Sequence, residues 1–200
     1  MKRLTRVFQQ SNGGLHLFPP LIWKFQYEFD LQTIAPKLDH LFSLVENNSA
    51  LEVGDAISTV SVDQNLQPHG WNELEHFQIW LGGKIAEVRS AYDFVIGHSE
   101  VTQSWCNRHR RGGQTAEHTH SFGTFVASCY LKAPARSGNI EFKDPLEYHK
   151  NSFPIIPELS LYREVEISTN DVLIFPGWLK HRVQPNQTDE ERIVMTFNIK

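Results

Sequence analysis

Short β-rich segments separated by turn residues fill the C-terminal half of this 200-residue chain. Valine, isoleucine, threonine and aromatic residues, which favour extended backbone, are concentrated in these segments. Glycine, proline, asparagine and aspartate lie between them, as is typical of turns. The predicted strands are residues 101–107, 124–131, 139–142, 164–167, 171–175, 181–183 and 192–199. Many short strands at even spacing predict a closed barrel or a sandwich.

The N-terminal half combines fewer strands with helical patterns. Residues 18–27 predict an edge strand whose start is marked by prolines, and residues 58–62 predict a short β-branched strand. Apolar residues recur at helical spacing within 39–45. Asn72 is a candidate N-cap for a longer helix that runs to about Phe94. We expect these helices to brace a sheet.

Composition excludes several classes of protein. The chain is 40% hydrophobic and 21% charged, with a formal net charge of -4. This weak acidity argues against general nucleic-acid binding, which needs a basic surface. We expect no membrane span, because no apolar run approaches about 20 residues, and no signal peptide at the basic N-terminus. The two cysteines, Cys106 and Cys129, form no disulfide framework and predict a cytoplasmic protein.

Three histidines form a candidate metal site. His118 and His120 are two residues apart, so on an extended segment both imidazoles point to one face and can reach one ion. His181, from a later strand, would complete a set of three ligands that leaves the opposite face of the metal open. The remaining histidines have no such grouping, and we assign no role to His16, His40, His69, His76, His98, His109 and His149.

Arg192 begins the last predicted strand and is a candidate ligand-binding residue. Alternation along that strand puts Ile193, Met195 and Phe197 on one face and Arg192, Val194, Thr196 and Asn198 on the other. A charged group that faces a barrel interior needs a partner. The guanidinium can bind the carboxylate of a co-substrate in a bidentate manner, with the Thr196 hydroxyl assisting. The alternative is an arginine at a strand start that reaches solvent.

Further polar residues are candidates for the same cavity. Tyr130 could present its hydroxyl there or be a core tyrosine with one hydrogen bond, and Asn107 could donate to a carboxylate or end a strand. The basic run Arg108, Arg110 and Arg111 is typical of a solvated face, although it could also attract anions. The long gap at residues 145–162 is typical of a lid or a binding loop.

These motifs resemble the 2-oxoglutarate and iron(II)-dependent oxygenases. The nearest branch comprises oxygenases of bacteria and phages that are related to prolyl hydroxylases. The resemblance covers residues 101–198 and is carried by SWCN (104–107), HTHS (118–121), Tyr130-Leu131, GNIEFKDP (138–145), DVLIFPGWLKHRV (171–183) and RIVMTFN (192–198).

The resemblance implies a mainly β fold with flanking helices, in which the sheets form a double-stranded β-helix, a distorted cupin-like jelly roll. It implies one domain over 1–200, with N-terminal strands and bracing helices in 1–100 and the catalytic core in 101–200. His118, His120 and His181 would hold Fe(II), and Arg192 would bind 2-oxoglutarate with Asn107, Tyr130 and Thr196 beside it. O₂ and 2-oxoglutarate would be consumed to hydroxylate a substrate, with release of succinate and CO₂.

The chain departs from the wider superfamily at His120, where an Asp or Glu is common. A neutral imidazole in that place leaves the metal complex one charge unit more positive, which should change its redox potential and metal preference. The substrate, a small molecule or a peptidyl residue such as proline, is not identified by the sequence, and a homodimer is left open. The alternatives are a cupin-like metal protein or three-histidine enzyme that does not use 2-oxoglutarate, and a barrel whose histidines are incidental. Arg192 distinguishes the oxygenase from the cupin-like alternative, because cupin-type chemistry does not need this arginine.

Overall fold

The computed structural model describes residues 22–91, 99–121, 123–145 and 161–200, together with the backbone of two short strands near the N-terminus. Its helices are α1 (Leu31–Ser43) and α2 (Glu75–Ala91), with single 3₁₀ turns at Gln64–Leu66, Pro68–Gly70 and Asn72–Leu74. The strands in chain order are β1 (Phe8–Gln9), β2 (Leu15–His16), β3 (Trp23–Gln26), β4 (Glu52–Val53), β5 (Ala56–Ser58), β6 (Val101–His109), β7 (Gln114–His118), β8 (Phe125–Lys132), β9 (Ile140–Lys143), β10 (Tyr162–Val165), β11 (Asp171–Pro176), β12 (His181–Val183) and β13 (Arg192–Ile199).

Two antiparallel sheets form the body of the structure. The larger sheet has the order β3-β11-β8-β13-β6-β5, and the smaller has the order β10-β9-β12-β7-β4. Strands that are distant in the chain are neighbours in both sheets, as in a jelly roll. The fold is therefore mainly β with two flanking helices, and it is a double-stranded β-helix, as the sequence predicted. Neither helix in the described part of the chain has the length and apolar character needed to cross a bilayer.

The two faces of the larger sheet are buried against different partners. Met195 and Phe197 of β13 face helix α2, where the rings of Phe77 and Phe197 lie 5.6 Å apart. Val194, on the opposite face of the same strand, packs between the sheets with Phe142. The strand alternation predicted for residues 192–198 is thus observed, and it directs one set of side chains into the space between the sheets.

Several boundaries in the N-terminal half differ from the sequence prediction. Helix α1 begins at Leu31, eight residues before the predicted 39–45 segment, because the Asp30 side chain caps it by accepting from the backbone N–H groups of Gln32 and Thr33. Pro36 lies inside this helix, where a break is the usual expectation. Asn72 opens a 3₁₀ turn rather than capping α2, and the predicted helix end near Phe94 lies outside the described residues.

The remaining differences concern strand ends. The predicted strand at 58–62 is shifted, since β5 ends at Ser58 and a turn follows it. Strand β10 is two residues earlier than predicted. Strand β3 is an edge strand, as predicted, although residues 18–21 of that segment lie outside the described part. Most of the predicted lid, residues 146–160, also lies outside it.

Candidate active site

His118, His120 and His181 converge at one end of the space between the sheets. One nitrogen of each ring lies within 4.8 Å of those of the other two. The Nε2 atoms of His120 and His181 are 3.3 Å apart, and the ring centroids of His118 and His181 are separated by 4.3 Å. The structure therefore brings together the three histidines that the sequence singled out.

A β-bulge and a glycine contact position these rings. His118 pairs with His181 and Thr115 pairs with Val183, so two residues of β7, Ala116 and Glu117, lie opposite one residue of β12, Arg182. The extra residue lets Thr115 and His118 face the same side of the sheet, which regular alternation would forbid. His120 lies beyond the end of β7, contrary to the expected extended segment, and its backbone N–H donates to Gly177 O at 2.8 Å.

Each ring is held through its Nδ1 atom. The Nδ1–H groups of His118 and His181 donate to the carbonyl oxygens of Ala116 and Leu179, both at 2.8 Å. His120 Nδ1 donates to Asn198 Oδ1 at 2.8 Å. A hydrogen on Nδ1 leaves the Nε2 lone pair free, which is the tautomer that metal-binding histidines adopt when a neighbouring oxygen orients them.

Burial keeps the three rings neutral. It lowers the pKa of His120 to about 4 and the pKa of His181 well below its usual range, and it also lowers the pKa of His118. Two neutral Nε2 atoms that face each other at 3.3 Å have lone pairs and no hydrogen between them. The two lone pairs repel each other, and a cation bound by both would remove this repulsion. Three imidazoles suit iron, nickel, copper or zinc, so the residues fit a metal of this group.

A cavity of about 230 Å³ adjoins the cluster and is open to solvent. It is large enough for a small organic molecule, because a water molecule in the liquid occupies about 30 Å³. All three histidines line it, and so do the predicted residues Asn107, Tyr130 and Thr196. Asn107 Oδ1 accepts a hydrogen bond from Ser58 Oγ at 2.8 Å. Trp105 covers His120 with a ring-centroid distance of 5.6 Å.

Arg192 is fully buried rather than extended to solvent. Its Nη1 donates to the carbonyl oxygens of Ser137, Gly138 (3.0 Å) and Gln184 (3.2 Å). Its Nε and Nη2 atoms have no hydrogen-bond partner among the described residues, and Arg192 itself is not part of the cavity wall. Burial lowers its pKa to about 10. A buried guanidinium with unused donors can bind an anionic ligand that accepts hydrogen bonds from them.

Gly138 makes room for this guanidinium. Its φ is +88°, and a Cβ there would lie 2.7 Å from Arg192 Nη1 and 2.4 Å from Gln184 O. No larger side chain fits without displacing Arg192 or the backbone.

Sequence reasoning missed several polar residues of the cavity wall. His109, which was given no role, lines the cavity together with Glu52, Thr115 and Asn198. Asn198 was placed on the correct face by the alternation of β13, but its bond to His120 was not foreseen. Glu52 belongs to a two-residue strand, which is too short to give a periodic signal.

The basic run at the end of β6 is neutralised by nearby acids. Each arginine has a carboxylate partner within 3 Å: Arg108–Asp39 at 2.9 Å, Arg110–Glu191 at 2.8 Å and Arg111–Asp189 at 2.7 Å. None of the three lines the histidine cavity. The solvated-face interpretation therefore fits better than attraction of anions to the cavity.

Known proteins resemble this chain in sequence over its C-terminal half and in fold over most of its length. A family model described as "Putative 2OG-Fe(II) oxygenase" matches residues 103–198. A comparison with curated protein sequences gave no match.

Similar solved structures share 12–14% sequence identity with the chain and cover 89–90% of it. HygX from Streptomyces hygroscopicus, with nickel and 2-oxoglutarate bound, is 13% identical, is covered over 82% of its length and has a TM-score of 0.57. A Pseudomonas putida prolyl-4-hydroxylase is 12% identical, is covered over 91% and has a TM-score of 0.59. The viral collagen prolyl hydroxylase of Paramecium bursaria Chlorella virus-1 is 14% identical, is covered over 94% and has a TM-score of 0.56.

The matched range 103–198 contains His118, His120, His181 and Arg192, and the similar structures share the double-stranded β-helix. In a chain with this fold and this histidine cluster, the match over residues 103–198 indicates a 2OG-Fe(II) oxygenase.

Proposed function

We propose that this chain is a hydroxylase that holds Fe(II) with His118, His120 and His181 and consumes 2-oxoglutarate and O₂. The observation that carries the proposal is the convergence of three Nε2 lone pairs, each set by an oxygen that accepts from Nδ1. A structural histidine cluster has no need of such an arrangement, because each ring would then spend both nitrogens on protein partners.

The overall reaction converts a substrate C–H bond, O₂ and 2-oxoglutarate into an alcohol, succinate and CO₂. Fe(II) supplies the site at which O₂ is activated when the keto acid is bound. His120 replaces the usual carboxylate ligand, and Asn198 orients it. Trp105 and Phe175 exclude water from the rings of His120 and His181.

The opposite end of the cavity would receive the distal carboxylate of 2-oxoglutarate. Arg192 lies behind the cavity wall and would turn its two unused donor nitrogens toward that carboxylate, while Tyr130 and Thr196 of the wall would add hydroxyl groups. Asn107 lines the wall between the two ends on strand β6. Two donors of the buried guanidinium have no acceptor among the described residues, and a carboxylate ligand would accept hydrogen bonds from both.

Anaerobic titration tests the proposal. Fe(II) should bind with a stoichiometry of one per chain, and 2-oxoglutarate should then produce a weak visible metal-to-ligand charge-transfer band. Admission of O₂ should yield succinate. The His181→Ala variant should lose the band, whereas His40→Gln, on the exposed side of α1, should keep it. One metal bound with no response to 2-oxoglutarate would contradict the proposal and favour cupin-like metal chemistry.

A peptidyl residue such as proline is the first substrate to test. The support is that two similar structures are prolyl hydroxylases, although at this identity the likeness concerns the fold. Coupled succinate release with proline-rich peptides, compared with the uncoupled rate, would identify turnover. Succinate release that no peptide stimulates would turn the search to small molecules.

We further propose a single domain over residues 1–200 and a cytoplasmic enzyme. The first rests on the packing of Phe77 in α2 against Phe197 in β13, which joins the two halves. The second rests on Cys106 and Cys129, which are both free and buried, as is usual in a reducing compartment. Light scattering in solution would test whether the chain forms a homodimer.

A further inference from the structure

The cavity has a second polar cluster, which consists of Glu52, His109 and Thr115. His109 Nε2 lies 3.0 Å from Glu52 Oε2 and 2.9 Å from Thr115 Oγ1. The side chains of His109 and Glu52 are only 1% and 2% exposed, yet both line the cavity. A buried carboxylate–imidazole pair in a cavity wall costs desolvation free energy, so it calls for a reason beyond packing.

This cluster adjoins Arg192. His109 and Arg192 are direct partners in the pairing of β6 with β13, so their side chains leave the same face of the sheet. His109 Nδ1 has no hydrogen-bond partner among the described residues, and the same holds for Arg192 Nε and Nη2. Three buried nitrogens therefore lack partners, which is rare among buried polar groups. The two Arg192 nitrogens are donors and indicate a missing acceptor, and His109 Nδ1 becomes a third donor when the ring is protonated.

The charges at this end point to the kind of acceptor. The guanidinium of Arg192 and the carboxylate of Glu52 have opposite charges and balance each other while His109 is neutral. A carboxylate ligand would add one buried negative charge. Protonation of His109 would restore the balance and would also turn Nδ1 into a donor.

We propose that His109, supported from behind by Glu52, binds the distal carboxylate of 2-oxoglutarate beside Arg192 and takes up a proton when that carboxylate arrives. The inference rests on the proposed use of 2-oxoglutarate by this cavity. It adds His109 to Arg192 as a second binding residue, which is neutral without the ligand and protonated when the ligand is bound.

The groups around His109 are consistent with this linkage. Burial lowers the pKa of His109, and Arg192 on β13 acts in the same direction, so the ring is neutral before the ligand binds. Glu52 on β4 acts in the opposite direction, Thr115 on β7 is an uncharged partner, and Ala56 is the neighbour on β5. The ligand's carboxylate would add a second negative charge next to the imidazole and shift the ring to its charged form.

Calorimetry on the anaerobic Fe(II)-loaded protein tests the inference with two keto acids. 2-Oxoglutarate carries the distal carboxylate, and 2-oxobutanoate is the same molecule without it. Titrations in two buffers with different heats of ionisation give the number of protons taken up. The parent protein should take up close to one proton with 2-oxoglutarate at pH 7.5, and essentially none with 2-oxobutanoate.

Two variants and one control separate a binding role from a structural one. His109→Gln should weaken 2-oxoglutarate about tenfold or more, as expected for loss of a hydrogen bond to a charged group, and should abolish proton uptake. Glu52→Gln keeps the shape and the hydrogen bond to His109 but should reduce both affinity and proton uptake. Both variants should bind 2-oxobutanoate as the parent does, and His40→Gln should match the parent throughout.

Three results would overturn the inference while leaving the proposed function intact. They are binding of 2-oxoglutarate to the parent without proton uptake, parental affinity in His109→Gln, and equal weakening of both keto acids in the variants. Because Glu52→Gln is isosteric, it decides the matter if His109→Gln fails to fold. A parent that loads metal but binds neither keto acid would overturn the proposed function, and the inference would fall with it.

Discussion

Replacement of Arg192 by methionine should separate ligand binding from stability. In the ligand-free protein the guanidinium is fully buried, and burial lowers its pKa from 12.5 to about 10. Because one pKa unit corresponds to about 1.4 kcal/mol, the charged form costs the folded state about 3 kcal/mol at neutral pH. Its Nη1 bonds to the carbonyl oxygens of Ser137, Gly138 and Gln184 offset this cost, because each hydrogen bond to a charged group contributes about 1.5–3 kcal/mol.

These opposing contributions nearly cancel, so Arg192→Met should change the free energy of unfolding of the ligand-free protein by less than about 2 kcal/mol. The same substitution should weaken 2-oxoglutarate by about 2–5 kcal/mol, which is a loss of affinity of about 30-fold to several thousand-fold. Metal affinity should be nearly unchanged, because the histidine cluster makes no hydrogen bond to Arg192.

Urea unfolding of the metal-free protein and calorimetry of the Fe(II)-loaded protein with 2-oxoglutarate measure the two quantities. Lys24→Met is a control for the effect of a lost charge on keto-acid affinity, since Lys24 pairs with Asp171 at the β3 edge of the larger sheet, where β8 separates β11 from β13. Equal keto-acid affinity in variant and parent would exclude Arg192 from co-substrate binding. A loss of more than about 4 kcal/mol of stability without ligand would show that the arginine holds the barrel together, and the charge argument would fail.

Three further predictions concern the histidine end of the cavity. His120→Ala should lower metal content and abolish succinate formation, whereas His120→Asp should recover part of both; an Ala variant with parental metal content would remove His120 from the ligand set. Gly177→Ala should weaken metal binding, because the new Cβ would lie 2.2 Å from Gly123 O and 3.0 Å from His120 O; Gly83→Ala, where no atom lies within 4 Å, should leave metal binding unchanged. In the metal-free protein the pKa of His120 is lowered to about 4, so the unfolded chain binds more protons than the folded chain below about pH 6.5. The contribution of His120 to the free energy of unfolding is therefore fully present above that pH and is lost as the pH is lowered. His120 alone should remove about 2 kcal/mol of unfolding free energy between pH 7 and 5, and a flat pH profile in urea unfolding would contradict its neutral buried state.

Local patterns along the chain were sufficient for much of the fold. The strands of the C-terminal half were found because β-branched and aromatic runs alternate with turn residues, and the long helix was found from its apolar spacing. The start of α1 at Leu31 was missed because Pro36 argues against a helix that its Asp30 cap nevertheless stabilises. Strand β4 was missed because two residues carry no periodicity.

At the site, too, some features can be predicted from the sequence and others depend on the tertiary structure. The spacing of His118 and His120, the distal His181 and the alternation that faces Arg192 and Thr196 inward are properties of the sequence, since each depends on residues that are close in the chain or on a regular strand. Only the tertiary structure decides that a β-bulge in β7 turns His118 toward His181 and that Asn198 orients His120. It also decides that Glu52 and Arg192, which are far apart in the chain, meet around His109, because strand register and sheet closure bring distant residues into contact and leave no mark on the local sequence.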